Sequence, residues 1–171
     1  MIYFVGPDSI LPCCETATIN DVVEYCQTKQ YLGVDTETEG FDFTCKKMIM
    51  FQIGDTSNQY VIDTRHVSIE PLRSVLESKK IEKIFHNAKF DIAFFEYHFK
   101  FKFPNFEDTM LLHYLIDENP GGHGLKQLSI KYTPYGDYEK PMYDWMDNYR
   151  KEHGILKADF QWECIPFDVM K

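Results

Sequence analysis

An α/β fold, with a mixed sheet flanked by helices, is predicted by three features of the sequence. Strand-like runs are concentrated between residues 31 and 85, large apolar residues at helical spacing take over from residue 88, and two strand-like runs end in acids beside a turn. Strands first and helices later give a layered architecture. A length of 171 residues suits one domain with a real core, so a single domain over 1–171 is expected.

Taken in order, Thr18 followed by Asp21 suits a helix start, and Ile19, Val22, Val23 and Cys26 fall at i, i+3, i+4 and i+7 of an amphipathic helix. Residues 31–36, 48–54 and 60–63 are predicted strands, the last two joined by a hairpin turn at Asp55-Thr56-Ser57-Asn58. Ser68 can cap a helix carrying Ile69, Leu72, Val75 and Leu76, and residues 81–85 form a further strand. Residues 88–99, 109–116 and 125–132 have helical spacing of large apolar side chains. Residues 133–163 are the least regular part, with one helix over 142–153 ended by Gly154. The chain has no internal repeat and no low-complexity tract.

The chemistry begins in Tyr31-Leu32-Gly33-Val34-Asp35-Thr36-Glu37-Thr38, an apolar strand pattern running into acids. Side chains at i and i+2 of a strand share a face, so Asp35 and Glu37 present their carboxylates together. Such a pair needs a shared proton or a cation, and hard oxygen ligands suit Mg²⁺ or Mn²⁺. A bare Asp-x-Glu also reads as two solvated acids. The run Ile81-Glu82-Lys83-Ile84-Phe85-His86-Asn87-Ala88-Lys89-Phe90-Asp91 repeats the layout of strand, turn and acid. Sites in α/β sheets gather where strands end and helices begin, which places Asp91 as the third acid of one pocket.

Gly33-Val34-Asp35-Thr36-Glu37-Thr38 resembles the first motif of the DEDD 3′-to-5′ exonucleases, and His86-Asn87-Ala88-Lys89-Phe90-Asp91 resembles the second. Glu107-Asp108-Thr109-Met110-Leu111-Leu112-His113-Tyr114-Leu115-Ile116 and His123-Gly124-Leu125-Lys126-Gln127-Leu128-Ser129 resemble the following segment in the proofreading domain of family A DNA polymerases, those like bacterial polymerase I. The resemblance implies a ribonuclease-H-like fold and a metal-dependent exonuclease that hydrolyses terminal phosphodiesters with two metal ions. By the same resemblance Asp35 bridges both ions, Glu37 serves the water-activating side and Asp91 supports the second ion through water. Thr36, Thr38, Phe41 and Asn87 are the implied substrate contacts, Phe41 stacking on a terminal base. The implied partners are the 3′ end of single-stranded DNA and a C-terminal polymerase domain of the same parent chain. A catalytically inert nucleic-acid-binding scaffold and a ribonuclease-D-like exoribonuclease are the alternatives.

Asp108 precedes an apolar helix and reads as its N-cap rather than a ligand. Asp63 reads as a solvated strand end, and His86, His113 and His123 lack a metal-ligand spacing. Family members carry a fourth acid in Tyr-x-x-x-Asp or His-x-x-x-Asp. The internal match at Tyr143 and Asp147 is set aside, because the stretch from Phe160 through Pro166 to Lys171 resembles the segment before that motif. The expectation is therefore a chain truncated before its last motif, and inactive for want of the fourth carboxylate. The short segment before Asp35 suggests a compact, phage-type parent without a separate 5′ nuclease domain.

A net charge of −9 opposes strong autonomous binding to phosphates and favours an accessory catalytic domain. Five cysteines, with no Cys-x-x-Cys pair, indicate neither a disulfide framework nor a zinc site. Neither a membrane span nor a secretory signal is recognisable, which with the cysteine usage suits a reducing cytoplasm, and the resemblance implies a bacterial or phage-infected one.

Overall fold

A computed structural model describes residues 1–7, 14–137 and 139–160. The predicted helix start at Pro166 lies outside the described residues. The chain divides into two compact units, Met1–Asn119 and Pro120–Lys171.

The first unit runs β1 (Ile2–Val5), β2 (Glu15–Thr16), α1 (Ile19–Gln27), β3 (Tyr31–Thr38), β4 (Met48–Gly54), β5 (Gln59–Asp63), α2 (Arg73–Leu76), β6 (Glu82–Phe85), α3 (Ala88–Phe94), β7 (Phe106–Asp108) and α4 (Thr109–Ile116). The strands form one mixed sheet in the order β2-β1-β5-β4-β3-β6-β7. β3, β4 and β5 are an antiparallel meander, while β6 joins β3 in parallel and β7 joins β6 in parallel.

Local chemistry accounts for most of these elements. At the start of α1 the Asp21 amide donates to Thr18 Oγ1 at 3.2 Å, and the Thr18 amide donates back to the Asp21 carboxylate at 2.7 Å. The β4–β5 turn closes with the Asp55 amide on the Asn58 carbonyl at 2.9 Å, and Lys29 pairs with Asp55 at 2.9 Å. A glycine is required before this turn, because a Cβ on Gly54 would fall on the Asn58 carbonyl oxygen. The core is a continuous cluster that includes Val22, Cys26, Leu32, Val34, Phe51, Ile53, Leu72 and Phe95.

Several expected elements are corrected. The helix expected after Ser68 is a 3₁₀ turn, Glu70–Leu72, followed by the four-residue α2, with Pro71 near its start. Helix 88–99 stops being α-helical at Phe94 and continues as a π-helical turn, Phe95–Phe99, closed by Lys100 at φ 59°. The wider turn sets Phe95 against Phe103 at 5.2 Å between ring centres. β1, β2 and β7 were not foreseen, being too short to show a period of two. Asp63 is not solvated: it is buried, takes two bonds of 2.8 Å from the Arg65 guanidinium, and lies 3.0 Å from His66 Nδ1.

The second unit contains α5 (Leu125–Tyr132) and α6 (Lys140–His153). α6 starts two residues earlier than predicted, with Pro141 in its first turn, and ends at Gly154 with φ 64°. Among the described residues no helix is long and apolar enough to cross a membrane.

Candidate active site

β3 and β6 run side by side in the same direction, Tyr31 opposite Glu82 and Gly33 opposite Ile84. Their C-terminal ends therefore lie on one edge of the sheet. β3 alternates strictly from Leu32 to Thr36, with Leu32, Val34 and Thr36 buried and the residues between them open. Asp35 and Glu37 thus share the open face, and Thr36 turns inward. The chain leaving β6 turns through His86 and Asn87 into α3, whose first turn carries Asp91.

Asp91 is buried, only 3 % exposed, and meets β3 at Thr36, whose Oγ1 donates to Asp91 Oδ1 at 2.6 Å. Burial pushes the Asp91 carboxyl up to about 6, opposed by the Thr36 hydroxyl and reinforced by the negative charge of Asp35. The Asp35 carboxyl is also raised, because protein atoms crowd it although the residue opens to water on one side; the Thr36 amide and the nearby His86 pull the other way. Glu37 is raised by partial desolvation and then by Asp35. The three acids are thus disfavoured in their charged forms, with Asp35 acting on both of the others. Among the described residues no three His, Cys, Asp or Glu side chains close into a metal cage. The donors stand as an open pair, Asp35 and Glu37, with Asp91 behind Thr36.

The predicted substrate contacts separate by what their side chains do. Phe41 lies in the loop after β3 with 91 % of its surface exposed, which excludes a core role, and its ring meets Phe90 edge-on at 6.2 Å between ring centres. Thr38 Oγ1 donates to the Gly40 carbonyl at 2.8 Å and so folds the base of that loop. Thr36 has its hydroxyl committed to Asp91. Asn87 is exposed and takes a left-handed conformation, φ 67°, which Asn tolerates better than most residues.

Asp108 caps α4 as the sequence indicates, through Met110 and Leu111 amides at 2.9 and 3.4 Å. It also accepts the Asn87 and Ala88 amides at 3.0 and 2.8 Å, a link across the sheet edge that no local pattern announces. His86, given a structural role by the sequence, lies 2.9 Å from Thr109 Oγ1 through Nδ1. In the second unit Asp147 pairs with Arg150 at 2.9 Å, and Lys126 lies 5.0 Å from the centre of the Tyr143 ring.

Residues 14–157 match the family described as 3′-5′ exonuclease. The chain is 43% identical over 110 residues to the DNA polymerase of Escherichia phage T5, a match covering 61% of this chain and 13% of the phage protein. It therefore spans about an eighth of that relative. Escherichia coli RNase D, an exoribonuclease involved in structured RNA processing, superposes with a TM-score of 0.60 at 16% identity over 91% of this chain and 47% of that one. Brucella melitensis NrnC with bound Mg²⁺ superposes with a TM-score of 0.62 at 17% identity over 93% of this chain and 86% of that one. The mixed sheet is thus the ribonuclease-H-like fold expected from the sequence.

Proposed function

The chain belongs to the 3′-5′ exonuclease family of family A DNA polymerases, and on that premise we propose that it forms the proofreading part of a polymerase, acting on the 3′ end of single-stranded DNA with Asp35, Glu37 and Asp91 as its metal-holding acids. The observation that carries this reading is the pairing of Asp35 and Glu37 on one open strand face, with Asp91 held behind Thr36.

Mg²⁺ or Mn²⁺ fits this donor set. The oxygens are hard, and all three carboxyls are raised chiefly by desolvation, with the charge of Asp35 adding to it at Glu37 and Asp91, so that a cation would relieve the cost of their charged forms. Asp35 and Glu37 would hold the ion, with Asp91 supporting it. When bound, divalent ions supply charge neutralisation at the phosphate and a more acidic water. Glu37, open to solvent beside Asp35, orients the attacking water and can take its proton on a carboxylate oxygen. Phe41 offers an exposed ring to the terminal base, a contact worth about 1–3 kcal/mol that does not depend on base identity. Thr38 fixes the loop that presents Phe41, and Asn87 faces the same sheet edge for a sugar hydroxyl. With a net charge of −9, the wider grip on DNA falls to the polymerase part of the parent chain.

Mn²⁺ relaxation of water should show a site that disappears in Asp35→Ala. In the parent chain extended through the last motif, digestion of matched 3′-labelled DNA and RNA oligonucleotides should favour DNA and fall about 10²–10⁴-fold in Glu37→Gln. A preference for RNA would select the ribonuclease-D-like reading, and Mn²⁺ binding without digestion the inert scaffold. Mn²⁺ binding that survives Asp35→Ala would remove the metal assignment.

A further inference from the structure

We propose that Asp108 is a positioning residue for this site: one buried carboxylate brackets the first turns of two helices and thereby fixes where Asp91 stands. The proposal rests on the reading of Asp35, Glu37 and Asp91 as a metal-holding set.

An N-cap carboxylate ordinarily serves its own helix. Asp108 does so for α4, yet its Oδ1 also accepts the Asn87 amide at 3.0 Å and its Oδ2 the Ala88 amide at 2.8 Å. Those amides open α3, where the N-cap residue Asn87 makes no side-chain cap of its own. Thr109 strengthens the bracket. Its hydroxyl donates to the Phe85 carbonyl at 2.9 Å and lies 2.9 Å from His86 Nδ1. The segment from Phe85 to Ala88 is therefore held to Asp108 and Thr109 at each residue. Asp91 follows three residues later on the same helical turn and is tied to β3 at Thr36, whose hydroxyl donates to it at 2.6 Å. A shift at the start of α3 is carried by a rigid turn directly into the Thr36–Asp91 contact. Partners that orient metal-holding side chains commonly matter by 10–100-fold in affinity.

Asp108→Ser separates the two roles. A serine hydroxyl can still cap α4 but lacks the second oxygen that reaches Ala88. In ¹H–¹⁵N spectra of the whole chain, Asp108→Ser should move the Asn87 and Ala88 amides upfield and displace Asp91 and Thr36, leaving Met110 and Leu111 nearly unchanged. Mn²⁺ affinity, read by relaxation with the metal alone, should fall about 10–100-fold. Changes confined to Met110 and Leu111 would leave Asp108 an ordinary cap and overturn the proposal. Amide shifts with unaltered Mn²⁺ affinity would overturn it as well, leaving only a structural brace. Should Asp108→Ser not fold, the isosteric Asp108→Asn is read by the same spectra, and in the unsubstituted chain the Asn87 and Ala88 amides must exchange as slowly as those of β6; fast exchange would exclude the bracket. Absence of Mn²⁺ binding in the unsubstituted chain would count against the metal reading instead, and the Asp91 and Thr36 resonances would then decide the positioning role by themselves.

Discussion

Two carboxylates illustrate opposite uses of burial at the residue scale. Asp63 is paired: the Arg65 guanidinium, then His66, hold its carboxyl well below the usual carboxylate range against the cost of burial. Its folded pKa lies below the unfolded value of about 3.9, so the folded state binds fewer protons. The resulting stability is present in full above that value and is lost as pH falls through the folded pKa. In urea unfolding, Asp63→Asn should cost about 1–3 kcal/mol at pH 7, and the gap to the parent chain should close as pH drops below about 4. For Asp35 crowding outweighs the pull of the Thr36 amide and of His86 and raises its carboxyl, and Asp35 in turn raises Glu37 and Asp91. Asp35→Asn should therefore stabilise the metal-free fold by about 0.5–2 kcal/mol while removing Mn²⁺ binding. A lower melting temperature for Asp35→Asn in EDTA would contradict the repulsion argument.

Turn and cap chemistry at the scale of single elements decides how accurately the strands are laid beside one another. The β4–β5 hairpin depends on Gly54, whose missing side chain lets the Asn58 carbonyl close the turn. Across the sheet Gly54 pairs with Gly33 of β3, in the strand that carries the acids. Gly54→Ala is expected to cost about 1–3 kcal/mol by overpacking, measured as a lower denaturation midpoint with an unchanged m-value. A neutral result would mean that the turn can open without loss of register. The register shift between Glu37 and Thr38 ends the regular β3–β4 pairing just where the acids stand. A bulge at such a place re-aims side chains at a strand end, in keeping with the separation of Asp35 and Glu37 from the loop that bears Phe41.

For the whole molecule, the three acids and the sheet that holds them belong to Met1–Asn119, whereas the Tyr143-x-x-x-Asp147 match belongs to Pro120–Lys171. Asp147 is already engaged by Arg150 on its own helix. Asp147→Ala should accordingly leave Asp35-dependent Mn²⁺ binding within about two-fold of the parent chain, a difference too small to signal a lost ligand. Loss of binding comparable to that in Asp35→Ala would make Asp147 the fourth acid. The acidic balance of the chain fits the proposed division of labour, in which clustered acids carry catalysis and other parts of the parent protein neutralise phosphates.

The sequence by itself determined what short-range physics encodes. Strand alternation put Asp35 and Glu37 on one face, capping and apolar spacing placed α1, apolar spacing gave α4 and α5 their extents, and the strand-turn-acid layout around Asp91 marked the neighbouring strand end. Tertiary structure decided whatever depends on partners distant in the chain. Lys83 sits on the core face of β6, where pattern alone would turn a lysine outward, because the Ser78 and Ile81 carbonyls take its ammonium at 2.6 Å each. Asp63 became buried because Arg65 and His66 fold back onto it. The double service of Asp108 exists only because β7 lies beside β6, and the Thr36–Asp91 bond spans 55 residues of chain. Periodicity reports which way a side chain points; only the packed sheet decides which other side chain it meets there.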